Sequence, residues 1–134
     1  MAYIVESIGA EGDKIIFVIE TIVPKTTPIR YKVEILPYCI RNYEGVKGPR
    51  FSYSGIFITI SSSIDAKIAE IFYDPDSPNK RIDRNMHPTQ IASSLHKMVI
   101  IELLKETYQN LRKVPLHREY IKKVLPAIIR LAID

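Results

Sequence analysis

The spacing of apolar side chains changes character part-way along this chain, and that change limits the folds open to it. In "RYKVEIL", Tyr31, Val33 and Ile35 alternate with Arg30, Lys32 and Glu34. That period of two gives a strand one buried and one wetted face. "KIIFVIETIV", Lys14 to Val23, is apolar on both parities as far as Glu20 and suits a central strand covered on both sides. "GAEGD" before it supplies a turn, and "AYIVES" a first strand to pair with it. From Ser63 the period lengthens: Ile64, Ile68, Ile71 and Phe72 fall at i, i+4, i+7 and i+8, one face of a short helix, with a strand as the alternative reading of 63–73. Strands followed by helices predict an α+β fold. The expected architecture is an N-terminal antiparallel sheet of roughly four to five strands, then a short helix and two longer C-terminal helices packed on one face. At 134 residues this is a single domain, β-rich over 1–60 and helical over 63–134.

Punctuation sets the boundaries. Pro24 and Pro28 interrupt regular pairing, Pro37 ends or bends the third strand, and "NYEGVKGP" makes a loop or hairpin connection. Ser62 or Ser63 caps the short helix, Asp65 complements its dipole and Pro75 stops it. A long connection, 74–88, is rich in Pro, Asp and Asn, and such lengths often go with function. A helix follows from about Thr89 to Lys113. Ile91, Leu95 and Met98 mark one stripe on it, and Ile100, Leu104, Tyr108 and Leu111 another. A helix apolar on two sides needs two covers: the sheet on one, the last helix or a second copy on the other. Ile100, Leu104 and Leu111 suit pairing across a two-fold axis, which predicts a homodimer. In the final segment Tyr120, Val124, Ile128 and Leu131 form a stripe flanked by Ile121 and Leu125, with a kink or restart at Pro126.

"KGPRFSYSGIFITI" admits two registers. On strict alternation Phe51, Tyr53 and Phe57 share a face, a row of rings beside Lys47 and Arg50 on which bases stack. With a bulge at Gly55 the parity shifts. Phe51, Tyr53, Ile56, Ile58 and Ile60 then point to one side, and Arg50, Ser52, Phe57 and Thr59 to the other. The bulged register costs one common irregularity and yields a continuous apolar face, so it is the one expected, with the aromatics in the core.

Hydrophobic residues make up 46% of the chain and charged ones 25%, an ordinary balance for a chain that buries a core. No apolar run approaches the roughly 18 residues of a membrane span, and the N-terminus does not read as a signal peptide. A single cysteine, Cys39, excludes an internal disulfide and points to a reducing, cytoplasmic setting. Little Gln, no Trp, abundant Ile and prolines in connections give a thermophile-like composition.

Net charge is +4, unevenly spread: residues 1–78 carry 8 Lys+Arg against 10 Asp+Glu, and residues 79–134 carry 11 against 5. The excess gathers at Arg112, Lys113, Arg118, Lys122, Lys123 and Arg130, with Lys80, Arg81 and Arg84 in the long connection. Arg118 and Lys122 share a helical face, and such a set suits a phosphate backbone. Solvated helix faces and helix-dipole complementarity account for the same charges without a ligand.

Catalytic signatures are scarce. There is no Gly-rich phosphate loop, Cys-x-x-Cys pair or Gly-x-Ser-x-Gly elbow. "DPDSPNKRID" opens like a calcium loop but has Pro78 at the fifth position and no Glu at the twelfth. His87, His96 and His117 lack zinc-ligand spacing, leaving Asp74, Asp76, Asp83 and His87 as a three-dimensional grouping to watch. "PTQIASSLHKM" starts like a helix-turn-helix, but the turn glycine is missing.

The sequence therefore predicts a small non-enzymatic nucleic-acid-binding protein, without cofactor or metal. Its candidate contacts are Arg50, Tyr53, Arg112, Lys113, Arg118, Lys122 and Lys123, with Lys80, Arg81 and Arg84 in the loop. The alternative is an assembly or adaptor protein acting through self-association or a protein partner.

Overall fold

Alternation in the first half of the chain becomes five strands: β1 (Ala2–Glu11), β2 (Lys14–Ile22), β3 (Arg30–Asn42), β4 (Arg50–Ser62) and β5 (Ala69–Tyr73). They are followed by α1 (Ser94–Gln109), a 3-10 turn (Leu111–Lys113) and α2 (Arg118–Ile133). The computed structural model describes residues 2–42, 50–76 and 94–133. The strands form one antiparallel sheet in the order β1-β2-β3-β4-β5, each beside its neighbour in sequence. Most of the long connection, the hairpin region with Lys47, and the start of the long helix before residue 94 lie outside the described residues.

One face of the sheet carries the core. Ile15, Phe17 and Ile19 of β2 face the same way as Tyr31, Val33 and Ile35 of β3, and all six are buried. Ile58 and Ile60 of β4 and Ala69 and Ile71 of β5 extend that face. Ile100, Leu103 and Leu104 of α1 and Ile121, Val124, Leu125 and Ile128 of α2 belong to the same cluster. Burial of this kind contributes roughly 25 cal/mol for each Å² of apolar surface withdrawn from water and is the main stabilising term. The opposite face bears charge pairs: Lys32 Nζ lies 3.1 Å from Glu34, and Arg30 Nε 2.9 Å from Glu6.

Several expectations need correction. Ile16 and Val18 on the far face of β2 are only half-buried, so that strand is not covered on both sides. Pro37 does not end β3, which runs on to Asn42. β2 pairs with β3 only from Arg30 to Ile35, so Pro37 sits where β4 alone remains as a paired strand. The segment read as a short helix is a turn and then β5. Ser62 does act as an acceptor there, but its Oγ takes the N–H groups of Asp65 (2.9 Å) and Ile64 (3.3 Å) in a tight turn. Ile64, assigned to the apolar stripe, is 72% exposed.

The helices differ in detail too. α1 ends at Gln109 and a separate 3-10 turn follows, where one helix to Lys113 was expected. Ile100, Leu104 and Leu111 are buried in the chain's own core, which removes the surface on which the expected two-fold helix pairing rested. The buried stripe of α2 is Ile121, Val124, Leu125, Ile128 and Ala132, so Ile121 and Leu125 are central and not flanking. α2 continues through Pro126 without a restart. No helix among the described residues is long and apolar enough to cross a membrane.

Candidate ligand site at the start of α2

Four short-range features bring a polar cluster together under the N-terminus of α2. The first is the bulge in β4. Tyr38 pairs with Gly55 but Cys39 with Tyr53, so Ser54 is the extra residue. Gly55 takes φ 134°, a value that side chains resist. The bulged register expected from the sequence is the one found: Tyr53 points to the same side as Ile56, Ile58 and Ile60. The second is the run of β3 past Pro37, which carries Cys39 on the core face, opposite Tyr53. The third is the two-residue turn between β1 and β2, where Gly12 at φ 62° presents Asp13 at the end of the hairpin.

The fourth is His117. It precedes α2 with φ 55°, and its carbonyl accepts the helix's first hydrogen bond, from Ile121 N–H at 3.0 Å. The left-handed backbone turns the imidazole inward, and its side chain is fully buried. Nδ1 lies 2.8 Å from the Tyr53 hydroxyl. Nε2 lies 3.2 Å from Asp13 Oδ1 and 4.0 Å from Cys39 Sγ. Phe51 meets the imidazole edge-on at 4.8 Å between ring centres, and the Arg41 guanidinium lies 5.2 Å from the centre of the Phe51 ring. Tyr53 stacks on Tyr120 of α2, with centres 4.0 Å apart and planes 5° from parallel.

Burial pushes the Tyr53 hydroxyl above its ordinary value, with Cys39 and Asp13 adding to the effect. Tyr120 is pushed up to about 12, first by burial and then by the charges of Asp74 and Asp76. Burial also raises the Cys39 thiol, reinforced by Asp13 and partly opposed by Arg41. A thiol held protonated is a poor nucleophile. The geometry agrees. A Cys–His–Asp relay needs the thiol on one ring nitrogen and the carboxylate on the other. Here both approach Nε2, and Nδ1 belongs to Tyr53. What the three side chains do offer is one ligand atom each, all within 4.8 Å of one another.

Around this cluster the surface is concave. An open depression of about 420 Å³ is lined by Tyr53, Pro115, His117, Arg118, Glu119 and Tyr120. A second, of about 240 Å³, has Arg112, Arg118, Lys122 and Tyr108 among its walls, with Glu119 again. Arg118 is half-buried and its Nε donates to the Val114 carbonyl at 2.6 Å, which fixes it between the two depressions.

Of the residues singled out from the sequence, Arg112, Arg118 and Lys122 thus come together. Lys113 lines a separate small cavity with Ile8 and Val114. Lys123 and Arg50 are exposed, and Tyr53 is half-buried beneath Tyr120. Lys80, Arg81 and Arg84 lie outside the described residues, as do Asp83 and His87. Asp74 and Asp76 form a turn of their own, in which Asp76 N–H donates to Asp74 Oδ1 at 2.9 Å.

Asp13, Cys39 and His117 were not grouped by sequence reasoning, since no local spacing links them. Partial signals existed: Cys39 follows Tyr31, Val33 and Ile35 on one parity, and Asp13 stands in an evident turn. Comparison of the chain with family models, with curated proteins and with solved structures gives no match.

Proposed function

We propose that the protein is a small non-enzymatic nucleic-acid-binding protein that holds a phosphate backbone on the surface made by the 3-10 turn and the first turns of α2. The observation that carries this reading is the convergence of Arg112, Arg118 and Lys122 on one depression, three cations against the one carboxylate of Glu119. The neighbouring depression, walled by Tyr53 and Tyr120, shares Arg118 and Glu119 with it and has the volume of a small-ligand pocket. An unstacked base beside a held phosphate fits that pairing, which favours a single strand over a duplex. Lys123, Lys113 and Arg50, which lie off the two depressions, are the remaining candidate cations. A reducing cytoplasmic setting, in keeping with the free thiol of Cys39, belongs to the same proposal.

Fluorescence anisotropy with labelled single-stranded DNA, duplex DNA and RNA tests it. Three neutralised phosphates on a single strand correspond to a log–log salt slope of about −2. Arg112→Glu with Lys122→Glu should weaken binding to all sequences alike by about tenfold or more, because phosphate contacts carry no sequence information. Arg118 is left alone in that variant, since it also braces Val114. Unaltered affinity in the double variant, or affinity indifferent to salt, sinks the proposal.

A homodimer is the second reading. It has lost the α1 surface first assigned to it but is favoured by apolar residues on the outer face of the sheet. Tyr38 and Ile40 are exposed, the latter by 72%, and the Tyr38 ring lies 5.6 Å from that of Phe72. Light scattering at micromolar concentration decides: twice 15.4 kDa supports it, and 15.4 kDa removes it.

A further inference from the structure

The geometry points to a binding site for one divalent transition metal of the zinc class, ligated by His117 Nε2, Cys39 Sγ and an Asp13 carboxylate oxygen. The donor set is what zinc-class ions take: one imidazole nitrogen, one thiolate and one carboxylate. The spacing is close to what coordination needs. Zinc bond lengths and a tetrahedral angle place donor atoms about 3.4–3.6 Å apart. The observed separations are 3.2 Å for nitrogen to oxygen and 4.0 Å for nitrogen to sulfur, with every pair inside 4.8 Å. Coordination draws Cys39 Sγ and His117 Nε2 together by about 0.4 Å, within reach of small side-chain torsions, and Asp13, whose side chain is 53% exposed at a two-residue turn, adjusts to both.

Two further observations are independent of the donor spacing. Tyr53 sits 2.8 Å from Nδ1, the position that fixes ring orientation and tautomer in metal-ligating histidines. With Nδ1–H donating to the Tyr53 oxygen, the lone pair of Nε2 faces Cys39 and Asp13. His117 also holds a left-handed backbone, an unfavourable conformation for a side-chain-bearing residue that tends to persist where a site demands it. That conformation delivers the imidazole to the other two donors. Convergence of three donors on one point, with the fourth partner behind the ring, is the arrangement of a coordination site and not of a proton relay.

On binding, Cys39 coordinates as the thiolate and its proton passes to solvent, while His117 stays neutral and Asp13 ionised. One dipositive ion and two anionic ligands give a neutral centre. Three protein ligands leave one tetrahedral position to water or to an exogenous ligand, as in open zinc sites.

Cobalt(II) is the probe, added to tag-free protein stripped with a chelator. The expected result is one equivalent bound, with a thiolate-to-cobalt charge-transfer band in the near ultraviolet and the intense visible bands of tetrahedral cobalt, both abolished by one equivalent of zinc. Cys39→Ser should remove the charge-transfer band and weaken zinc binding at least tenfold. Asp13→Asn, at an exposed turn where folding is not at risk, should weaken it at least tenfold as well. Tyr53→Phe tests the positioning role, with about a 10–100-fold loss of zinc affinity while the charge-transfer band persists at saturation. Folded protein that shows no thiolate band at millimolar cobalt overturns the proposal. Zinc affinity unchanged in both Cys39→Ser and Asp13→Asn overturns it equally.

Discussion

Tyr53 is the residue on which most of the local structure converges: its hydroxyl meets His117, one ring face meets Tyr120, and its backbone flanks the bulge. These contributions separate by substitution. Tyr53→Phe keeps the stack but leaves a buried imidazole nitrogen without its partner, a loss of about 1–2 kcal/mol in urea or thermal unfolding. Tyr53→Ala also removes the ring and should cost about 3 kcal/mol or more. A Tyr53→Phe midpoint equal to that of the unaltered protein would show that the hydroxyl does not satisfy His117. The side of the sheet that Tyr53 faces was legible in advance, because Ile56, Ile58 and Ile60 could join one face with it only if Gly55 marked an extra residue. Its partner His117 was not legible, since a histidine beside a proline at a helix start looks the same whether its ring turns inward or outward.

At the scale of elements, the β4 bulge is the least replaceable piece of backbone. A methyl group on Gly55 would meet the Tyr73 carbonyl oxygen and the Phe72 ring, each at 3.0 Å, from a φ of 134° that alanine resists. Gly55→Ala should therefore destabilise the fold by about 2–3 kcal/mol, combining backbone strain with overpacking. It should also disturb the Tyr53–Tyr120 stack, visible in near-ultraviolet circular dichroism. A variant as stable as the parent would mean that β4 re-registers without the bulge. The same strand shows what pattern alone conveys. β3 and β4 followed from alternation and one glycine, whereas for β5 the strand came second to a helix, because Ile64, Ile68, Ile71 and Phe72 fit a period of 3.6. Its true period of two covers only Ala69, Ile71 and Tyr73 against Glu70 and Phe72, too short a run to outweigh the helical coincidence. Pairing with β4 settles the matter, and pairing is non-local.

For the molecule as a whole, buried phenols make alkaline pH the sensitive side. Tyr3, Tyr31, Tyr53 and Tyr120 are all raised above the ordinary value of 10.0, in each case chiefly by burial. A raised folded-state value means that the neutral phenol is the form the native state prefers. The associated stability is thus complete below about pH 10 and is lost progressively as pH climbs toward the folded-state values, about 12 for Tyr120. Unfolding free energies measured from about pH 9 upward should hold steady and then fall, and Tyr120→Phe should make the fall shallower. A flat profile through about pH 11 would contradict the burial assigned to these hydroxyls.

The meander order of the sheet has a consequence for how the molecule assembles. Every strand pairs with its immediate neighbour, so each hairpin closes over a short length of chain and its register is set locally. His117 is different: it must return to Tyr53, Cys39 and Asp13 across 64, 78 and 104 residues. Those are among the most expensive closures in the chain, and they come with the docking of α2. Until then the sheet presents Phe17, Val33 and Ile58 to water, a sticky surface on a partly built protein. The cluster at His117 is therefore expected to close as a latch after the hairpins of the sheet have formed. An optical probe on the tyrosine stack would time that event separately from formation of the sheet.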